Sequence, residues 1–156
     1  MEIIQIYGEN YIEQYAKIRE ACRGIVVRNG KILLTYEVNT NQWFIPGGGL
    51  ESNESLSQCC IRELAEETGI IKKISELREI YNCYDVKRHC IYYIYLAEVP
   101  SDMPIHLQIG ETMDYAFLPY DEFRELVCSD RFVASEQGRF IAHEELMKSV
   151  LDTNNI

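Results

Sequence analysis

Three glutamates stand close together in the segment IRELAEETGI. Glu63, Glu66 and Glu67 are spaced as i, i+3 and i+4, so a helix would bring them together on one face. Like charges on one face destabilise an isolated helix, and a bound cation would compensate them. Hard divalent metals such as magnesium prefer oxygen ligands from carboxylates. For three acids alone a solvated helix face is the default, and a metal-binding face is the hypothesis that further residues must support.

Residues before and within the same segment could support this face. Glu54 lies near the start of the predicted helix and could reach the acids from the preceding turn. Arg62 carries a fixed fork of donors, which suits bridging carboxylates and locking their rotamers. The glycines Gly47, Gly48 and Gly49 allow a tight turn and a close approach of the backbone to a ligand or metal.

Hydrophobic periodicity and turn residues predict the elements that position this segment. Asn29-Gly30 between two aliphatic runs predicts a β-hairpin. A helix is predicted over about 53–68, with Gly69 as its left-handed C-terminal cap. Further predictions are a helix over about 10–20, strands at 43–45, at 74–84 and in CIYYIYLAEV, and C-terminal helices over about 120–151. This order predicts one α/β domain, residues 1–156, whose mixed central sheet is covered by helices on two faces.

Composition and charge narrow the class of protein. The chain has 156 residues, of which 47% are hydrophobic and 26% charged, as in ordinary globular domains. The formal net charge is -10, and no short window holds a basic face that would overcome this field. We therefore expect no polymeric nucleic acid as a partner. A small phosphorylated ligand is compatible with the charge, because a bound divalent metal inverts the local sign.

No targeting or membrane segment is predicted. The first residues, MEIIQIYGENYIEQY, lack the basic start and apolar run of a signal peptide. No stretch approaches the roughly 20 apolar residues that span a bilayer. We expect a soluble, cytoplasmic protein without a membrane partner. The six cysteines show no C-x-x-C spacing, which argues against a zinc site and predicts reduced thiols, most of them in the core.

The acidic segment resembles the signature of the Nudix (MutT-like) hydrolase family, G-x5-E-x7-R-E-U-x-E-E-x-G-U, in which U is a bulky aliphatic residue. The matching residues are Gly48, Glu54, Arg62, Glu63, Leu64, Glu66, Glu67, Gly69 and Ile70. Seven fixed residues would match by chance in roughly one chain of this length in a million. The preceding residues W-F-I-P-G-G also look like this family. We call residues 48–70 the box.

The resemblance implies an α/β/α sandwich, magnesium or manganese as cofactor, and hydrolysis of a phosphoanhydride bond in a nucleoside diphosphate linked to another moiety. It implies that Glu66 and Glu67 are metal ligands and that Glu63 is a ligand or the general base. Glu54 would help to hold the metal directly or through water. The backbone carbonyl near Gly47 or Gly48 would be a further ligand.

The general base has more than one candidate. Many family members carry it on a loop after the box, and Glu111, before the segment MDYAFLP, matches that place. Glu98, at the end of a strand, is the second loop candidate, and Glu63 is the candidate within the box. The resemblance does not choose among them.

The substrate and the other site residues stay open at this point. Expected substrates are (deoxy)nucleoside triphosphates, ADP-ribose or another nucleotide sugar, and dinucleoside polyphosphates, bound by a monomer or a homodimer. A non-catalytic nucleotide-sensing module is the alternative, and processing of RNA 5′ ends is disfavoured by the acidic charge. Candidates for base stacking are Tyr36, Trp43, Phe44, Tyr115 and Phe117, and candidates for phosphate contacts are Arg28, Lys31 and Arg139. For His89, His106 and His143 we expect surface or structural roles.

Overall fold

The computed structural model describes residues 17–142 and 144–154. Its strands are β1 (Arg19–Arg28), β2 (Lys31–Glu37), β3 (Gln42–Phe44), β4 (Gly47–Gly49), β5 (Arg78–Asp85), β6 (Cys90–Glu98) and β7 (Thr112–Leu118). Its helices are α1 (Leu56–Thr68), α2 (Tyr120–Val127), α3 (Ala134–Ala142) and α4 (Glu144–Asn154), with one 3-10 turn at Ile74–Glu76. The helix predicted over 10–20 lies mostly outside the described residues, and its last two residues belong to β1.

The seven strands form one mixed sheet around β1. β1 and β2 are joined by Asn29 and Gly30, which both have positive φ (52° and 73°), so the predicted hairpin turn is confirmed. The strand order is β3-β2-β1-β6-β5, with β4 paired to β1 and β7 paired to β2. β1 and β6 run parallel, whereas the other pairs are antiparallel. Parallel pairing needs a crossover connection, and this connection contains α1.

Helices cover both faces of the sheet, as predicted. Along β6, Ile91, Tyr93 and Tyr95 pack with α1, while the alternate residues Tyr92 and Ile94 pack with the C-terminal helices. Eight of the nine β6 residues are buried, because both faces of this central strand are covered. The α1 layer contributes Cys59, Cys60 and Leu64 to the first core, and the C-terminal helices contribute Phe123, Leu126, Phe140, Met147 and Leu151 to the second. The α/β/α sandwich is therefore confirmed.

The ends of α1 follow from its capping residues. The helix begins after Ser55, whose hydroxyl accepts from the Gln58 backbone N–H while the Gln58 side chain accepts from the Ser55 N–H. The predicted start at about residue 53 was too early, since Asn53 has a φ of 67° and belongs to the preceding turn. Gly69 has a φ of 75° and ends the helix as the predicted left-handed cap.

Other predicted boundaries shift by a few residues. The strand predicted from residue 74 begins at Arg78, because Ile74–Glu76 form a 3-10 turn. Four of the six cysteines, Cys22, Cys59, Cys60 and Cys90, are buried as predicted, and Cys128 is exposed. Within the described residues, no helix is long and apolar enough to cross a membrane.

Candidate active site

Two glycines of β4 hold two glutamates of α1 at close range. The Gly47 backbone N–H donates to Oε2 of Glu67 at 3.2 Å. The Glu63 carboxylate lies against Gly48, where an added Cβ would be 2.3 Å from Oε1 of Glu63. Only a residue without a side chain leaves room for this carboxylate. The pairing of β4 with β1 therefore brings the start of the box against the acids at its end.

The guanidinium of Arg62 joins the remaining acids. It donates to both carboxylate oxygens of Glu54, from Nε at 3.0 Å and from Nη2 at 2.9 Å. Its Nη1 donates to Glu63 at 2.9 Å and to Glu66 at 3.3 Å. Nη2 also donates to the Gly49 carbonyl at 3.2 Å. Arg62 thus bridges carboxylates, which is the role predicted from its fork of donors.

The acids have two different electrostatic environments. Burial raises the pKa of Glu67 to about 9, helped by its hydrogen bond and charge repulsion with Glu63. The hydrogen bonds from Arg62 lower the pKa of Glu54 to about 2. The Glu66 side chain is 49% exposed, and its carboxylate contacts Nη1 of Arg62. Glu63 and Glu67 therefore lie half-buried against β4, whereas Glu54 and Glu66 lie on the Arg62 guanidinium, which also contacts Glu63.

The half-buried pair of Glu63 and Glu67 offers carboxylate oxygens of the kind that a hard cation prefers. Burial and the neighbouring Glu63 favour the protonated form of Glu67, whereas a bound divalent ion would favour its charged form. In the described part of the chain, no three acidic, cysteine or histidine side chains form a complete metal-ligating group. The Gly48 carbonyl lies 3.6 Å from Sγ of Cys59. The carboxylate oxygens of Glu63 and Glu67 fit a divalent metal by their chemistry, while those of Glu54 and Glu66 are held on Arg62.

The loop that carries Glu111 is attached to the C-terminal end of α1. The His106 backbone N–H donates to the Thr68 carbonyl at 2.8 Å, and that of Gln108 donates to the Glu67 carbonyl at 3.3 Å. Gly69 allows this contact, since an added Cβ would be 2.9 Å from Cβ of His106. Glu111 itself accepts a backbone hydrogen bond from Val38 at 3.0 Å. The loop is therefore held by the helix that carries the box acids.

Three charged residues that interact with one another were not predicted from the sequence. Arg23 on β1 forms an ion pair with Glu136 on α3. Burial, followed by the charge of Glu111, raises the pKa of Glu37 at the end of β2. The signal for Arg23 was a charge inside the apolar strand ACRGIVV. Glu37 and Glu136 had no local signal, because their neighbours come from distant parts of the chain.

The remaining candidates are distributed over the molecule. Glu98, at the end of β6, lines a shallow cavity with Lys72, Glu76, Arg78 and Leu96, none of which belongs to the box. Trp43 contacts Tyr36 edge to face, with ring centroids 5.2 Å apart, on the face covered by the C-terminal helices. Phe44 is half-buried in β3.

Four of the candidates for base stacking and phosphate contacts lie together at the end of the β1–β2 hairpin. Arg28, Lys31, Tyr115 and Phe117 line one open cavity there, and the guanidinium carbon of Arg28 lies 3.8 Å from the Phe117 ring centroid. His89 has a structural contact, as expected, through Nδ1 to the Tyr84 hydroxyl at 2.6 Å. His143 and the Arg139 side chain lie outside the described part of the structure.

Sequence comparisons give relatives over a large part of the chain. The NUDIX domain profile matches residues 19–143. ADP-ribose pyrophosphatase of Methanocaldococcus jannaschii is 27% identical over 113 residues, which cover 62% of this chain and 67% of the relative. Diphosphoinositol polyphosphate phosphohydrolase 2 of Homo sapiens is 32% identical over 89 residues, which cover 56% of this chain. The match spans only about half of that human protein, 49% of its length.

Solved structures share the fold. The NUDIX domain of Shewanella oneidensis NrtR, complexed with ADP ribose, has a TM-score of 0.67 and 20% identity, covering 91% of this chain and 94% of that one. A bifunctional NMN adenylyltransferase/ADP ribose pyrophosphatase from Francisella tularensis, complexed with AMP and a Mn ion, has a TM-score of 0.61 and 22% identity, covering 85% of this chain and 43% of that one. Because the domain profile matches more than half of the chain and its span contains the whole box, the chain belongs to the NUDIX family.

Proposed function

We propose that this protein is a magnesium- or manganese-dependent pyrophosphohydrolase that cleaves a phosphoanhydride bond in a small nucleotide-like substrate. The observation that carries this proposal is the carboxyl pair of Glu63 and Glu67, half-buried against Gly48 and Gly47. A pure binding module has no need to retain the complete set of box glutamates. The names of the relatives, a pyrophosphatase and a polyphosphate phosphohydrolase, support the same class of reaction.

The box residues would hold the metal. Glu63 and Glu67 are the inner ligands in this proposal, and Glu66 and Glu54 are outer ligands, directly or through water. The Gly48 carbonyl remains a predicted further ligand. When bound, the cation neutralises charge on the diphosphate oxygens and lowers the pKa of coordinated water. Each of these oxygen donors suits magnesium or manganese better than a softer metal.

In this proposal, Arg62 orients the box carboxylates and Glu111 deprotonates the attacking water. Arg62 holds Glu54 and Glu63 in one orientation through its hydrogen bonds, so their carboxylates need no reordering when substrate binds. Glu111 is the proposed general base and would accept the proton of the attacking water at its carboxylate. Attachment of its loop to α1 through the Gln108 backbone supports this assignment.

The substrate class is proposed as ADP-ribose or a related nucleotide sugar, with nucleoside triphosphates as the second group. ADP-ribose is favoured because it appears in the name of a sequence relative and in a structural neighbour's complex. The same cleavage reaction applies to both groups, since each contains a diphosphate attached to a nucleoside. The two groups differ in what lies beyond the second phosphate.

A cleavage assay tests the function. The wild type is incubated with magnesium or manganese and a panel of ADP-ribose, nucleotide sugars, nucleoside triphosphates and dinucleoside polyphosphates, and the products are separated by anion exchange. We expect cleavage that Glu66→Gln reduces and that Glu79→Gln, on the exposed part of β5, leaves unchanged. Binding of a panel member without cleavage would favour the nucleotide-sensing module. Full activity of Glu66→Gln would contradict its role as a ligand.

A further inference from the structure

A buried ion pair joins the first strand of the sheet to the third helix. The Arg23 guanidinium on β1 binds the Glu136 carboxylate on α3 through Nε and Oε1. The side chain of Glu136 is 2% exposed and that of Arg23 is 16% exposed. Arg23 also donates to the Cys22 carbonyl at 2.7 Å and lies 5.2 Å from the centroid of the Tyr92 ring. The charge of Arg23 is thus matched inside the protein by an acid that is distant in sequence.

This ion pair lies next to the acids of the box. Arg23 is paired with Gly47 between β1 and β4, and a Cβ on Gly47 would be 2.9 Å from Cδ of Arg23. Gly47 in turn donates to Glu67. Burial raises the pKa of both Glu67 and Glu37, and the positive charge of Arg23 acts in the opposite direction on both. One guanidinium therefore influences carboxyl groups from three elements, α1, β2 and α3.

We propose that Glu136 is a positioning residue that binds Arg23 and so keeps the Glu63–Glu67 pair available to a divalent cation. A buried guanidinium that loses its carboxylate is left with an uncompensated charge, which strongly favours pairing with another acid. Glu67, which accepts a hydrogen bond from the Gly47 that pairs with Arg23, would be the replacement. An Arg23–Glu67 ion pair would occupy the oxygens that the cation needs. This inference rests on the proposed function for the metal site but not for hydrolysis.

Manganese binding tests the inference without any substrate. Free Mn²⁺ is measured by electron paramagnetic resonance while the wild type, E136Q and the double variant R23M/E136Q are titrated with MnCl₂. We expect E136Q to bind Mn²⁺ about tenfold more weakly, the size of effect typical of residues that support metal ligands. We expect the double variant to return to within about threefold of the wild type, because no unpaired guanidinium remains to compete.

The control is a second arginine–glutamate pair away from the box. Glu144→Gln removes the acid from the exposed Arg124–Glu144 pair and is expected to leave Mn²⁺ affinity unchanged. Should E136Q fail to fold in a thermal melt, E136D keeps the charge but withdraws it by one methylene group. We expect E136D to weaken binding about threefold, in line with a displaced supporting residue.

The outcomes separate this inference from the proposed function. Unchanged affinity in E136Q, or in E136D if E136Q does not fold, would overturn the positioning role. A double variant as weak as E136Q would also overturn it, since that result indicates only structural damage. A wild type that binds Mn²⁺ but cleaves no nucleotide would remove the proposed hydrolase function and leave the role of Glu136 intact.

Discussion

Arg62 binds Glu54 with two parallel hydrogen bonds, from Nε at 3.0 Å and from Nη2 at 2.9 Å. Glu54 lies in the turn before α1, and Arg62 lies in the second turn of that helix, so the contact joins the loop to the helix. Nη1 of the same guanidinium reaches Glu63 at 2.9 Å. This two-oxygen geometry is available to arginine and not to lysine. The orientation of the box acids therefore depends on the shape of one side chain as well as on its charge.

The variant Arg62→Lys tests the geometry of the Arg62 guanidinium separately from its charge. The lysine keeps the positive charge but cannot bind both oxygens of Glu54 and still reach Glu63. We expect kcat to fall by about 10²-fold, the effect of displacing catalytic groups by about 1 Å, with a small change in melting temperature. Steady-state kinetics and a thermal melt measure both quantities.

Arg88→Lys is the matched control for this change, because Arg88 is exposed and forms an ion pair with Asp85 outside the box. We expect its activity to stay within twofold of the wild type, as for most exposed pairs (about 0–1 kcal/mol). Equal kinetics for Arg62→Lys and the wild type would show that the fork geometry is unimportant.

Gly48→Ala and Gly49→Ala compare neighbouring positions of β4. A Cβ at Gly48 would lie 2.3 Å from the Glu63 carboxylate, whereas a Cβ at Gly49 meets nothing within 4 Å. We expect Gly48→Ala to displace Glu63 and reduce kcat/KM by about 10²-fold, while Gly49→Ala keeps near-normal activity. Similar activities of the two variants would contradict the proposed position of Glu63 in the site.

Glu67→Gln should change how stability depends on pH. The pKa of Glu67 is raised from 4.5 to about 9 in the folded protein, chiefly by burial. Between these pH values the folded state binds more protons than the unfolded state, so this residue makes the free energy of unfolding fall as pH rises. The variant cannot ionise there. We expect its melting temperature relative to the wild type to rise by several degrees between pH 5 and pH 9, since each pH unit over which folded Glu67 binds the extra proton changes the free energy of unfolding by about 1.4 kcal/mol.

This comparison is made by calorimetry in the presence of a chelator, with Glu79→Gln as the control on an exposed strand position. The control should follow the wild type at every pH. Added Mn²⁺ at pH 8 should stabilise the wild type much more than Glu67→Gln, since metal binding to the folded state raises its stability. A constant difference in melting temperature across the pH range would mean that Glu67 is ionised throughout.

Glu111→Gln and Glu98→Gln distinguish the two loop candidates for the general base. Glu111 is on the loop attached to α1, whereas Glu98 lies among Lys72, Glu76 and Arg78. We expect Glu111→Gln to reduce kcat by 10²- to 10⁴-fold, as loss of general base catalysis does, and Glu98→Gln to have little effect. A pH–rate profile that loses its acidic limb in Glu111→Gln would support the same assignment. A large loss in Glu98→Gln alone would reverse it.

Local patterns predicted much of the fold and the core of the site. The Asn29-Gly30 turn, the Gly69 cap and the strand in CIYYIYLAEV each depend on residues close in sequence, and all three are confirmed. The first residue of α1 was harder to predict from the sequence, because Asn53 and Ser55 are both good capping residues. The reciprocal hydrogen bonds of Ser55 and Gln58 decide between them in the structure.

The sequence by itself determined which acids could share a helical face, because neighbours on a helix are set by spacing along the chain. Only the tertiary structure decided how those acids differ. The pairing of β4 with β1 places Gly47 and Gly48 against Glu67 and Glu63, and burial follows from that packing. The contact between Arg23 and Glu136, which are 113 positions apart in the sequence, also depends on tertiary packing. Such contacts depend on how distant elements pack, and local periodicity in the sequence does not predict that packing.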